Sequence, residues 1–66
     1  MNLTVNGTRH EVEEPQSVST LLTTLRFTRR DVAVAVEGRV VPRTRWTSTQ
    51  VVDGAVVEVV TAVQGG

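Results

Sequence analysis

Val63, Gln64, Gly65 and Gly66 close the sequence after a strand-like run of valines, and they carry a main-chain carboxylate on a slender arm. Extended, four residues reach about 13 Å, enough to enter a pocket of another protein. Gly65 and Gly66 have no Cβ, so a narrow channel can close on their backbone where any larger side chain would clash. Ordering such a tail costs roughly 1–2 kcal/mol of backbone entropy per residue. Flexibility alone does not require both glycines, whereas passage through a tight slot does. The carboxylate is ionised at neutral pH and is a poor acyl electrophile, so something must activate it. A partner with an ATP site can convert it to an acyl-adenylate, after which sulfur can replace the nucleotide.

The rest of the chain offers no competing catalytic set. There is no cysteine, which excludes disulfides and thiolate metal sites, so sulfur would be carried as a thiocarboxylate on Gly66 and not as a persulfide. There is no lysine either. All seven cations are arginines, which do not deprotonate and do not act as amine nucleophiles. Ser17, Ser19 and Ser48 lack a base to activate them. His10 is the only imidazole and reads as a surface or half-covered strand residue, since a metal site needs three or four suitable ligands. Glu11, Glu13 and Glu14 read as a solvated face. No phosphate-cradling glycine pattern occurs, and each internal glycine falls at a turn. Arg29 and Arg30, and the group Arg39, Arg43 and Arg45, read as solvated cations, with a docking surface for an acidic protein partner as the alternative. Trp46 is expected to cover one end of the core, its indole N–H reaching water or a backbone carbonyl.

The elements that would carry the tail follow from periodicity and turn chemistry. In "NLTV", Leu3 and Val5 share one face. Asn6-Gly7 then suits a type I′ hairpin turn with positive φ at both positions, and "TRHEVE" alternates as a second strand. After Pro15, Ser17 is placed to cap a helix whose apolar stripe is Val18, Leu21, Leu22 and Leu25. The threonines on its other side weaken it, so it depends on packing against a sheet. Phe27 is a candidate lid on the core. "VAVAVEG" reads as a strand packing its valine side on the helix, with a turn at Glu37-Gly38, and "RVVPR" as an edge strand, because Pro42 excludes it from the sheet centre. "TRWTSTQVVDG" reads as irregular, with a turn at Asp53-Gly54. The last strand, "AVVEVVTA", is apolar on nearly both faces and suits a central position.

This order predicts an α+β fold of the β-grasp type, a mixed sheet of about five strands packed on one helix, with a flexible Gly-Gly tail. Residues 1–62 form the domain and 63–66 the tail. At 66 residues it is a single small domain without room for a second core. Seven acids balance the seven arginines, so the charge favours neither nucleic acid nor membrane as a partner. No charged leader or membrane-length apolar run is present, and a soluble cytoplasmic protein is expected.

The stretches "VAVEGRVVPRTRW" and "VVDGAVVEVVTAVQGG", together with the "MNLTVNG" start, resemble the ubiquitin-like sulfur carriers of thiamine biosynthesis, the ThiS family, over the whole chain. The "VEVVTAVQGG" ending and the "VVPR..W" segment are the specific parts. The resemblance implies a protein that is not itself an enzyme and binds no cofactor. It implies that a ThiF-like adenylyltransferase, using ATP and Mg, adenylates Gly66. Sulfur drawn from cysteine through a desulfurase then gives a thiocarboxylate, which donates it to thiazole synthase. Gly66 would be the sulfur-carrying residue, with Gly65, Gln64 and Val63 the threaded tail. Glu37 departs from the family's usual Asn before the turn glycine, and arginine replaces its mixture of Lys and Arg. Alternatives are a carrier serving another acceptor, such as molybdopterin synthase or a cysteine-forming enzyme, a noncovalent β-grasp interaction module, and a modifier conjugated to target lysines.

Overall fold

The computed structural model describes residues 1–28 and 31–61. In chain order these form β1 (Asn2–Val5), β2 (Thr8–Glu11), β3 (Gln16–Ser17), α1 (Val18–Thr24), β4 (Val32–Val36), β5 (Arg39–Val41), a 3-10 turn (Arg43–Arg45), β6 (Gln50–Val51) and β7 (Val56–Thr61). Five strands make one sheet in the order β2-β1-β7-β4-β5, while β3 and β6 pair separately. β1 and β7 run parallel, and every other pair in the main sheet is antiparallel.

Two short hairpins set this register. Asn6 and Gly7 have φ of 51° and 80°, and Glu37 and Gly38 have φ of 52° and 80°, the double left-handed geometry of type I′ turns. Each joins its strands through two residues, with Val5 opposite Thr8 and Val36 opposite Arg39.

The helix begins where the serine places it. Ser17 Oγ accepts from the Thr20 N–H at 3.1 Å, and the Ser17 N–H donates to Thr20 Oγ1 at 2.8 Å, a reciprocal capping box. Thr20, which lowers helix propensity, thus repays it at the cap. Seven residues are too few to hold a helix alone, so burial of Val18, Leu21 and Leu22 does so. The helix ends as a Schellman motif: Arg26, at φ 65°, donates to Thr23 O, and the Phe27 N–H reaches Leu22 O at 2.8 Å. Leu25 is the C-cap, just beyond the helix.

The inner face of the sheet supplies Leu3, Val5, Val32, Val34, Val57 and Val59 to the core, with Val51 and Ala55 closing it. Leu25, Phe27, Val41 and Trp46 pack against its margins, Trp46 donating its indole N–H to Val41 O at 2.9 Å.

Three features differ from the sequence reading. The second strand stops at Glu11, short of Glu13. The stretch read as irregular contains the 3-10 turn and β6, whose two residues pair with β3 beside the helix start. β7 is central as expected, but its outer face is open: Val56 is 47% and Val60 57% exposed. A single helix covers only one face of a sheet, so apolar residues on the other face stay in water.

Candidate functional site

The last described strand, β7, is held from both sides by the two type I′ turns. On the β1 side, the Thr4 N–H donates to Ala55 O at 3.0 Å and the Asn6 N–H to Val57 O at 2.9 Å. A continuing parallel ladder would next use the Asn6 carbonyl to accept the Val59 N–H. The chain turns away there, and the side chain substitutes. Asn6 Oδ1 accepts from the Val59 N–H at 2.8 Å, while Asn6 Nδ2 donates to Val59 O at 2.9 Å.

On the β4 side, the Glu37 N–H donates to Val56 O at 2.8 Å, and Glu37 Oε2 accepts the Val56 N–H at 2.6 Å. A carboxylate accepting a backbone amide makes a stronger bond than a neutral acceptor. Glu37 therefore compensates for occupying a left-handed position better suited to Asn or Gly. The entry to β7 is fixed as well. Asp53 Oδ1 accepts the Asn2 N–H at 2.7 Å, and the Gly54 N–H, at φ 85°, donates to Asn2 O at 2.7 Å.

These bonds fix the course of β7 as far as Thr61, the last described residue. Thr61 stands opposite Val32, at the beginning of β4. The parallel pairing of β1 with β7 brings the Asn6-Gly7 turn to the same end. Val63, Gln64, Gly65 and Gly66, read above as the threaded and sulfur-carrying residues, lie outside the described residues, as do Arg29 and Arg30.

Two of the other candidate groups are engaged within the fold. The Ser17 hydroxyl serves the capping box, and the Ser48 hydroxyl donates to Arg45 O at 3.3 Å. His10 is half-buried opposite Leu3 on the edge strand, and Glu11, Glu13 and Glu14 are exposed. Among the described residues no cluster of three or more His, Asp or Glu side chains is placed to hold a metal. An open depression lined by Asn2, Leu3, Thr4, Arg9 and Gly54 lies toward the start of β1, away from the Asn6-Gly7 turn. No described helix is long and apolar enough to cross a membrane.

The roles of the Asn6 and Glu37 side chains escaped the sequence reading, which used both residues only as turn formers. The available signal was an oxygen-bearing side chain preceding each turn glycine. Their partners, 53 and 19 residues downstream, carry no local mark.

A mixed five-stranded sheet packed on one helix, with the last strand central, defines a ubiquitin-like β-grasp protein. More specifically, the chain belongs to the ThiS family, whose model matches residues 3–66. It is similar to the crystal structure of thiamine biosynthesis protein ThiS from Geobacter metallireducens, at 38% identity and a TM-score of 0.89, with 100% of both chains covered. The solution structure of a thiamine biosynthesis protein from the same organism matches at 38% identity and a TM-score of 0.80, covering 100% of this chain and 88% of the other. Comparison with curated proteins finds none that matches.

Proposed function

We propose that this chain is a sulfur carrier of thiamine biosynthesis, with residues 1–62 as the body and 63–66 as the arm that enters partner active sites. The Gly66 carboxylate attacks the α-phosphorus of ATP in a ThiF-like adenylyltransferase that supplies Mg, and pyrophosphate leaves. The outer sulfur of a persulfide, drawn from cysteine by a desulfurase, attacks the acyl-adenylate carbonyl as AMP departs, and a thiol then reduces the resulting acyl disulfide, ending in a disulfide itself as the thiocarboxylate is freed. The resulting thiocarboxylate hands its sulfur to thiazole synthase.

The observation that carries this reading is the family match through residue 66, which takes in the arm as well as the body. The chemistry supports it. A chain without Cys or Lys has neither a thiol nor a side-chain amine to compete with its terminus. Two terminal residues without Cβ let a partner enclose the reacting carbonyl closely. The chain acts in this scheme as a co-substrate, with catalysis in its partners.

Intact-mass measurement tests it. The full chain is incubated with the adenylyltransferase from the same genome, ATP, Mg, a cysteine desulfurase, cysteine and a thiol reductant. One oxygen exchanged for one sulfur at Gly66 is the expected result. An unchanged mass, with the enzyme active on another carrier, refutes the carrier role.

A further inference from the structure

From Gly38 to Val52 the sequence carries Arg39, Arg43 and Arg45 and no acidic residue. In the fold this stretch forms the β5 edge and the 3-10 turn, at the side of the sheet opposite β2. Among the described residues no carboxylate pairs with these three guanidinium groups. Glu11 sits on β2 at the other edge, and Glu13 and Glu14 follow it.

One of the three cations is held in place. The Trp46 indole is anchored through its N–H to Val41 O at 2.9 Å, and the Arg43 guanidinium lies over that ring, 5.2 Å from its centroid. This is cation–π distance, and a guanidinium already resting on a ring loses less freedom when a partner binds it. The "VVPR..W" segment thereby has a physical consequence: Val41 fixes the ring and the ring fixes Arg43. Val40, three residues before Arg43, is 73% exposed on the outer face, opposite Ala35. On that face Ala33 pairs with Val60, and Ala35 stands between Val40 and the exposed Glu58, so the apolar residues Val40, Ala35, Ala33 and Val60 border one carboxylate.

We propose that this rim, with Arg43 on Trp46 at its centre and Arg39, Arg45 and Val40 around it, docks onto a carboxylate-bearing surface of the protein that activates the C-terminus. This assignment rests on the carrier role above, because the arm can be used only by a partner that also grips the body. Three cations interleaved with valines suit a protein surface. A polyanion is held by many phosphate contacts, and a chain of zero net charge does not supply them. Rim charges of this kind act mainly on association rate and its salt dependence.

The test is adenylation of the full-length chain, followed by ATP–pyrophosphate exchange at low and high salt, comparing wild type with the Arg39→Gln, Arg43→Gln, Arg45→Gln triple variant. The triple variant is expected to raise KM for the chain about tenfold with kcat unchanged, and to lose most of the salt dependence seen with wild type. Arg43→Lys should recover only part of the loss, since an ammonium lacks the planar fork that stacks and bridges carboxylates. Thermal melts, and the exposed single variants Arg39→Gln and Arg45→Gln, separate docking from folding. An unchanged KM in the triple variant, with wild type normally adenylated, overturns the rim alone. No adenylation of wild type overturns the carrier role and the partner assigned here with it. Arginine-dependent retention of single-stranded poly(U) would reassign the rim to nucleic acid and overturn it too.

Discussion

The Asn6 side chain pairs with both the N–H and the C=O of Val59, at 2.8 and 2.9 Å, across 53 residues of sequence. It stands in for the main chain of a β1 strand that has already turned away, and so prolongs the pairing of β7 toward its C-terminal end. Asn6→Gly keeps the positive φ that the turn needs and removes only this clamp. It is expected to cost about 1–2 kcal/mol in chemical denaturation, from two lost hydrogen bonds. Faster amide exchange at Val59, with Val57 less affected, is the local signature.

Arg26 holds a left-handed position, φ 65°, that a side chain with a Cβ occupies at a cost. Its own side chain is exposed, so replacement disturbs no packing. Arg26→Gly should stabilise the chain by about 0.5–1 kcal/mol, raising Tm by roughly 3–6 °C. Arg26→Ala should give no such gain, because alanine meets the same steric penalty.

Trp46 joins the core margin to the charged rim. Trp46→Phe retains a ring but loses the N–H to Val41 O and weakens the seat of Arg43. A loss of about 1–2 kcal/mol is expected in denaturant titrations followed by circular dichroism, the chain's only tryptophan being gone. KM for adenylation should rise in the same variant.

At the arm, Gly65→Leu, or one residue added after Gly66, is expected to abolish thiocarboxylate formation while leaving thermal stability unchanged. Intact-mass analysis and a thermal melt on the same sample check both halves. Thiocarboxylate formed on either variant would refute passage through a tight slot.

Deleting the gene in its host should produce a requirement for thiamine that the thiazole precursor relieves. Growth without supplement, in a strain with no second carrier, counts against delivery to thiazole synthase.

Much of the scaffold was legible because its signals are local. Positive φ at Asn6-Gly7 is a steric matter within two residues and is found as read, and a turn forms at Glu37-Gly38 where one was expected. The stripe of Val18, Leu21 and Leu22 is set by helical period, and those residues are buried. Pro42 excludes β5 from the interior of the sheet for want of an N–H, and β5 is an edge. The role proposed for the arm came from residue types, Gly65, Gly66 and the absence of Cys and Lys, together with the resemblance to the ThiS family.

Tertiary structure decided what depends on distant neighbours. β3 and β6 are two residues each and carry no period of their own, so only the fold that brings Gln16 opposite Val51 makes them strands. The valines of β7 look alike in sequence, yet Val57 and Val59 are buried under the helix while Val56 and Val60 meet water, because one helix covers one face. The side chains of Asn6 and Glu37 could be assigned to β7 only once the register was set. Hydrogen bonding is directional and short-ranged, so its partners are fixed by three-dimensional placement, while φ preferences and apolar periodicity are properties a residue carries along the chain.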